Sequence, residues 1–240
     1  MIFRPKSLIF VRHAESVWNA LSQGQRGTVK EMPAGLKNMP DYKTPLTENG
    51  IAQAIKTGAE LLKQFGEFET IYHSPWVRTT KTTELLLNSF PKKTQGKMRK
   101  RCFRNLFLIE QQFGDLDLGI SECTDLQKKY NEFYERRKIA GKFYLRPPNG
   151  ESWWDVCMRT HTFLDIIFRP NRHGQRLLIV SHGVAIQTFR YHLERLGEDE
   201  VVELYQHDKC KNCGVSWYEW NPNLGSRGRY ELRFWNKTFY

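Results

Sequence analysis

The chain has 240 residues, 40% of them hydrophobic, and carries 37 lysines and arginines against 26 aspartates and glutamates, a formal charge of +11. That is enough apolar content for a large α/β domain, and no run approaches the roughly 20 apolar residues of a membrane span or the roughly 7–15 of a signal core. The five cysteines (Cys102, Cys123, Cys157, Cys210, Cys213) are odd in number and scattered, which argues against a disulfide framework and points to the cytosol as the expected compartment.

Taken in order, strand-like and helix-like segments alternate. "SLIFVRH" from Ser7 predicts a buried strand. Leu21 to Thr44 is rich in glycine, proline and polar residues and is the segment expected to move most. "LTENGIAQAIKTGAELLKQFG" has a start signal at Thr47, apolar residues at helical spacing and a stop at Gly66. "TIYHSP" predicts a second strand broken at Pro75, and "WVRTTKTTELLLNSF" a helix. "FRNLFLIEQ" predicts a further strand from Phe103 to Gln111, and "SECTDLQKKYNEFYERRKIAG" one helix or a pair. "SWWDVCMRTHTFLDIIFRP" predicts a helix closed by Pro170. "QRLLIVSHG" is the clearest buried strand, with the helix "VAIQTFRYHLERLG" behind it. "GVSWYEW" and "RYELRFW" predict paired strands joined by a turn. Repeated βα units predict an α/β fold, a three-layer α/β/α sandwich with a mostly parallel central sheet. No repeat, low-complexity tract or linker divides the chain, so residues 1–240 are read as a single domain.

Much of the positive charge lies in "PKKTQGKMRKRCFR" from Pro91 and "ERRKIAGKFYLR" from Glu135. Such a surface attracts anions. Neither cluster carries a nucleic-acid fold signature, so both read as solvated basic faces and specific nucleic-acid binding is not expected.

Open parallel sheets bind ligands at the carboxyl ends of their strands. Arg12 and His13 follow the first strand, His73 and Ser74 end the second, and Arg78 falls in the first turn of the next helix. Glu110 stands at the end of the "FRNLFLIE" segment and His182 ends "LLIVSHG". Two histidines, two arginines and a carboxylate would thus converge on one sheet edge. That set suits phosphoryl transfer: guanidinium forks match phosphate oxygens, an imidazole is a nucleophile, and a carboxyl group shuttles a proton. These residues alone do not choose between His13 and His182 as nucleophile.

Several motifs, in order along most of the chain, resemble those of the histidine phosphatase superfamily, which includes the cofactor-dependent phosphoglycerate mutases. "VRHAESVWN" resembles its Arg-His-Gly signature, and "PLTENGIAQA" its Leu-Thr-x-x-Gly-x-x-Gln-Ala helix opening. "YHSPWVRTTKTTE" resembles its Ser-Pro-x-x-Arg-x-x-x-Thr segment, and "EQQFGDLDLG" its acidic loop. "PPNGES" resembles its Gly-Glu-Ser turn, and "VSHG" its second-histidine motif. The resemblance implies that fold, with His13 as the nucleophile that becomes phosphohistidine. It implies Arg12, Arg78 and His182 as holders of the equatorial phosphate oxygens, Asn19 as a neutral donor and Glu110 as the proton donor. Asp115 and Asp117 are close enough in sequence to compete with Glu110 for that last role.

Some features depart from the pattern. Ala14 stands where the family has glycine, which predicts a methyl group near the phosphate pocket, and Gly119 falls one residue later than in mutases. The stretch between Asn19 and Leu46 is longer than in typical mutases, and "GKFYLRPPNGESWWDVCMR" is nearer to phosphatase-like branches. Arg136 and Arg137 echo a mutase arginine pair but read as a solvated helix face. His207, Cys210 and Cys213 have a metal-like spacing without a fourth ligand, so no metal site is assigned. Trp18 and Trp76 are placed to line the mouth of the site. The resulting expectation is metal-independent hydrolysis of an anionic small-molecule phosphomonoester, with no cofactor. A cofactor-dependent phosphoglycerate mutase is the alternative, and a catalytically idle phospho-ligand binder or scaffold is the alternative from another class.

Overall fold

Leu8, Ile9, Phe10 and Val11 are all fully buried, and they alternate between two apolar layers. In the computed structural model of the protein, which describes residues 3–24, 39–115 and 124–240, they form the first strand of a six-stranded sheet. The strands are β1 Ser7–Arg12, β2 Thr70–His73, β3 Cys102–Arg104, β4 Arg176–Ser181, β5 Val215–Asn221 and β6 Arg229–Lys237, paired in the order β3-β2-β4-β1-β5-β6. The four strands β3, β2, β4 and β1 run parallel, and β5 pairs antiparallel with β1 and β6. Interior parallel strands are covered on both faces, which is why β1 and β4 read as unbroken apolar runs.

The described helices are α1 Val17–Gly24, α2 Glu48–Phe65, α3 Val77–Asn88, α4 Lys92–Arg99, α5 Thr124–Ala140, α6 Trp153–Ile167, α7 Gly183–Glu194 and α8 Glu198–His207. Leu8, Phe10, Leu177 and Ile179 pack against Phe163 and Ile167 of α6 and Ile186 and Phe189 of α7. Ile9, Val11, Leu178 and Val180 pack on the opposite face against Leu61 and Phe65 of α2 and Leu86 and Leu87 of α3. Phe10 and Phe189 have ring centroids 4.9 Å apart, and Phe163 and Phe189 5.6 Å. Such pairs add about 0.5–1.5 kcal/mol each beyond their burial. Two helix starts are capped by side chains: at the sequence-read start Gly50 N–H donates to Thr47 Oγ1 at 2.9 Å, and Ser152 forms a reciprocal capping box with Asp155. Caps of this kind are each worth about 1 kcal/mol.

The strand expected from Phe103 to Gln111 is not continuous. β3 stops at Arg104, and Asn105 Oδ1 accepts the Phe107 N–H at 2.9 Å, turning Leu106–Leu108 into a short 3₁₀ turn. Leu108 is buried while Leu106 is exposed. A run of apolar residues therefore looked like a strand although only part of it packs. Glu110 follows this turn rather than a strand end. Helices α4 and α8 lie in stretches read above as charged or unassigned. Most of the stretch from Leu21 to Thr44 falls outside the described residues, as do Asp117, Gly119 and Cys123.

What positions the site is the register. Arg12 pairs with Ser181 and His73 with Val180, so the carboxyl ends of β1, β2 and β4 meet at one edge. Among the described residues no helix is long and apolar enough to cross a membrane.

Candidate active site

Immediately past β1 the chain turns, and His13 is held there by its own backbone. Its N–H donates to Ser181 O at 2.9 Å, and its carbonyl accepts from Asn212 Nδ2 at 3.1 Å and Cys213 N at 3.3 Å. The ring is only 2% exposed. Nδ1 lies 2.8 Å from the Ala14 carbonyl, and a carbonyl only accepts, so the proton sits on Nδ1 and Nε2 keeps its lone pair. Arg78 Nε donates to that Nε2 at 3.2 Å.

The loop beyond His13 is stitched to the start of α2, which accounts for two sequence motifs at once. Thr47 N–H donates to the Glu15 carbonyl at 3.0 Å, Thr47 Oγ1 to the Glu15 carboxylate at 2.7 Å, and Glu15 N–H to Gln53 Oε1 at 3.0 Å. A Cβ on Gly50 would lie 2.1 Å from the Glu15 carbonyl oxygen, so only glycine fits there. Thr82 plays a similar part from α3: it accepts the Ala14 N–H at 3.0 Å and donates to the Arg78 carbonyl at 2.7 Å. Asn19 Oδ1 accepts from Ser16 N at 3.2 Å and from Asn212 Nδ2 at 2.9 Å.

Around His13 stand Arg12, Arg78 and His182. The His182 ring, fully buried, lies with its centroid 5.1 Å from that of His13 and 4.8 Å from Trp76. The His182 Nε2 is 2.8 Å from Ser74 Oγ, while Nδ1 meets no hydrogen-bond partner among the described residues. The Arg12 Nη1 donates to the Cys210 carbonyl, and the buried Nε likewise has no partner among the described residues. Arg78 stacks over Trp76 with its guanidinium carbon 4.5 Å from the ring centroid. Trp76 thus packs against both Arg78 and His182. Buried polar groups without partners are rare because each costs about 1–3 kcal/mol. Arg12 Nε is a donor, His182 Nδ1 is a second one when Nε2 accepts the Ser74 hydroxyl, and together they suit an acceptor-rich group.

Glu110 reaches the same place from the far side. Its carboxylate accepts the Gln111 N–H at 2.9 Å and the Val184 N–H at 3.1 Å, at the first turn of α7. Glu110 Oε2 and Arg12 Nε both lie within 4 Å of the point where a Cβ on Gly183 would stand. Arg159 fastens this loop, donating to the carbonyls of Phe107 and Ile109 at 2.8 Å each and of Glu110 at 3.1 Å. Glu151, from the "PPNGES" turn, pairs with Arg159 at 2.8 Å. Gly114, at φ 59°, packs so close to this turn that a Cβ would meet the Pro148 carbonyl at 2.2 Å. Asp115 is bound to that turn as well, accepting from Asn149 Nδ2 at 3.0 Å.

The arrangement brings His13, Arg12, Arg78, His182 and Glu110 to one edge and ties Asn19 to the loop behind them. Sequence reasoning gave no role to Thr82, although it lies in a quoted motif, or to Asn212, and it missed Arg159, which also holds the backbone, and Asp41, whose carboxylate faces Arg78. Their contacts join segments remote in sequence and leave no local signal. Two expectations need correction. The Ala14 methyl is fully buried in a small cluster with Ala54, Leu85 and Cys213, so it is core and not pocket wall. The arginine pair is split, with Arg136 exposed and Arg137 half-buried against Tyr134. In the metal-like trio His207 is exposed, while Cys210 and Cys213 are buried in different clusters.

Burial first, and then the Arg78 guanidinium, hold the pKa of both His13 and His182 well below 6.5. Burial also lowers those of His73 and His192. Between the folded and unfolded values the unfolded chain binds more protons, so stability rises with pH there and is lost as pH falls through 6.5. The melting temperature should therefore drop from about pH 7.5 to about pH 5.5, and less steeply in a His13→Gln/His182→Gln variant. An unchanged wild-type midpoint over that span would contradict neutral buried imidazoles.

Residues 8–237 match the family model of the histidine phosphatase superfamily (branch 1). The chain is similar to phosphoglycerate mutase-like protein AT74H of Arabidopsis thaliana, 30% identical over 245 residues that cover 94% of this chain and 76% of that one. It is similar also to the 2,3-bisphosphoglycerate-dependent phosphoglycerate mutase of Rhodopseudomonas palustris (strain BisB18), 30% identical, covering 82% and 84% of the two chains. Among solved structures, the alpha-ribazole phosphatase from Shigella flexneri has the same fold, with a TM-score of 0.67, 22% identity and 96% of each chain covered.

Proposed function

Since this chain belongs to the histidine phosphatase superfamily, we propose that it hydrolyses an anionic phosphomonoester through a covalent phosphohistidine, without metal or cofactor. The observation that carries this reading is the state of His13. It is neutral, protonated on Nδ1, and its Nε2 lone pair accepts from the Arg78 guanidinium with the His182 ring alongside. In the proposed reaction Nε2 bonds to phosphorus as the ester oxygen leaves. Arg12, Arg78 and His182 hold the three equatorial oxygens, where charge gathers in an in-line displacement. Glu110 protonates the departing oxygen, then takes a proton from the water that attacks the phosphohistidine. Orthophosphate leaves and His13 is restored.

A mutase is the second reading, favoured by the names of the curated relatives. A mutase must hold a substrate carboxylate and a second phosphate beside the phosphohistidine and keep water out. One feature supports hydrolysis instead: the arginine pair is divided, with Arg136 in solvent and Arg137 on the wall of a cavity of about 610 Å³, so the two do not form one fork for a second anion. Incubation with 3-phosphoglycerate and its bisphosphate primer separates the readings. Release of orthophosphate is expected to exceed formation of 2-phosphoglycerate. Rapid 2-phosphoglycerate formation with little free phosphate would overturn the hydrolase assignment.

A further inference from the structure

The Nη1–Nη2 fork of Arg78 is occupied. Its Nη1 donates to Asp41 Oδ1 and its Nη2 to Asp41 Oδ2, each at 3.0 Å, while Nη1 also reaches the Asp41 carbonyl at 2.7 Å and Nε reaches His13 Nε2 at 3.2 Å. The guanidinium is almost fully buried and the carboxylate about one-third exposed. A carboxylate gripping a guanidinium by two parallel hydrogen bonds uses the same donors, in the same plane, as a phosphate would. A phosphoryl group on that same pair of N–H groups would have to displace the carboxylate, which it would otherwise face with no proton between them.

We propose that Asp41 is a built-in competitor for the phosphoryl position, which sets the affinity of the site for phosphate and speeds the loss of orthophosphate. This rests on the hydrolase reading above. The local backbone suits such an exchange. Asp41 opens a 3₁₀ turn, Asp41–Lys43, in which Thr44 N–H donates to the Asp41 carbonyl at 3.1 Å. That carbonyl is tied to Arg78 as well, so the turn stays anchored to α3 when the side chain rotates away. The partly exposed carboxylate gains hydration as it leaves, and it regains two charge-assisted bonds as it returns. Arg78 passes from one anion to the other without being left buried and unpaired, which would be the costly state.

The same contact has a consequence for turnover. A hydrolase forms orthophosphate in the pocket that binds the substrate's phosphoryl group, so tight phosphate binding becomes product inhibition. A carboxylate waiting on the same fork relieves it at the expense of a higher KM.

Calorimetric titration with orthophosphate tests the contact without relying on turnover. Asp41→Ala should bind orthophosphate about tenfold more tightly than wild type, and the gain should vanish in Asp41→Ala/Arg78→Ala, because it acts through that fork. In steady-state assays with p-nitrophenyl phosphate the single variant should show a lower KM and stronger inhibition by added orthophosphate. Equal or weaker phosphate binding by Asp41→Ala would overturn the proposal and make Asp41 a positioning residue for Arg78. So would a gain that persists without Arg78, since it would reflect general removal of negative charge. A wild-type chain that binds orthophosphate but turns over no phosphomonoester would sink the hydrolase reading alone, whereas an active enzyme without the gain would sink only the role of Asp41.

Discussion

Replacing His13 by alanine is expected to abolish turnover of p-nitrophenyl phosphate, with kcat down by on the order of 10³-fold or more, while the protein still folds. On the proposed mechanism His13 Nε2 is the atom that bonds to phosphorus, and His182 is poorly placed to replace it. The latter has its Nε2 committed to Ser74 Oγ. The fold should survive because the loop is held through main-chain atoms that the substitution leaves alone, His13 N to Ser181 O and His13 O to Asn212 and Cys213. Arg12 and Arg78 remain, so orthophosphate should still bind. Wild type quenched during turnover should yield an acid-labile phosphoenzyme, and the variant none. Full activity in a folded His13→Ala protein would remove His13 from the chemistry.

Glu110→Gln is expected to slow alkyl phosphates by roughly 10²–10⁴-fold in kcat/KM and p-nitrophenyl phosphate far less. A leaving alkoxide needs a proton, whereas nitrophenolate is stable near neutral pH without one. Glutamine keeps an oxygen that can accept the Val184 and Gln111 N–H groups, so the loop geometry should persist. What it lacks is the transferable proton. The comparison holds when formation of the phosphohistidine limits kcat/KM for both substrates. Of the acidic residues that compete for this role by sequence position, Asp115 is bound to the Pro148–Asn149 turn, and Asp117 lies outside the described residues. Similar losses on both substrate types would show that Glu110 only positions the site, and the donor would have to be sought elsewhere in this loop.

The sequence motifs sort into two kinds once the contacts are known. "VRH", "VSHG" and the arginine of "SPWVR" bring the charged and imidazole groups to the sheet edge. "ES", "LTENG", the last threonine of "RTTKT" and "NGES" hold that edge in shape, through Thr47 and Gly50 on Glu15, Thr82 on Ala14, and Glu151 on Arg159. Both kinds were legible as motifs, but sequence alone did not say which did which.

By itself the sequence determined the parallel core and its cationic edge. Unbroken apolar runs such as Leu8–Val11 and Leu177–Val180, with their β-branched residues and polar ends, fit a strand covered on both faces, and Arg12, His13 and His182 stand within two residues of those runs. The capping signal at Thr47 was equally local, since it acts within one helical turn. Only the tertiary structure decided what each of these groups touches. The partner of Arg78 is Asp41, 37 residues earlier, and the His13 carbonyl is held by Asn212, 199 residues later. It also decided that Glu110 leaves a turn instead of a strand, and that the Ala14 methyl belongs to the core. The physical reason is range. Burial period and helix caps are set by neighbours within a few residues, whereas a hydrogen-bond partner at a sheet edge is set by register and by loops that fold back over it, and no short stretch of sequence contains those.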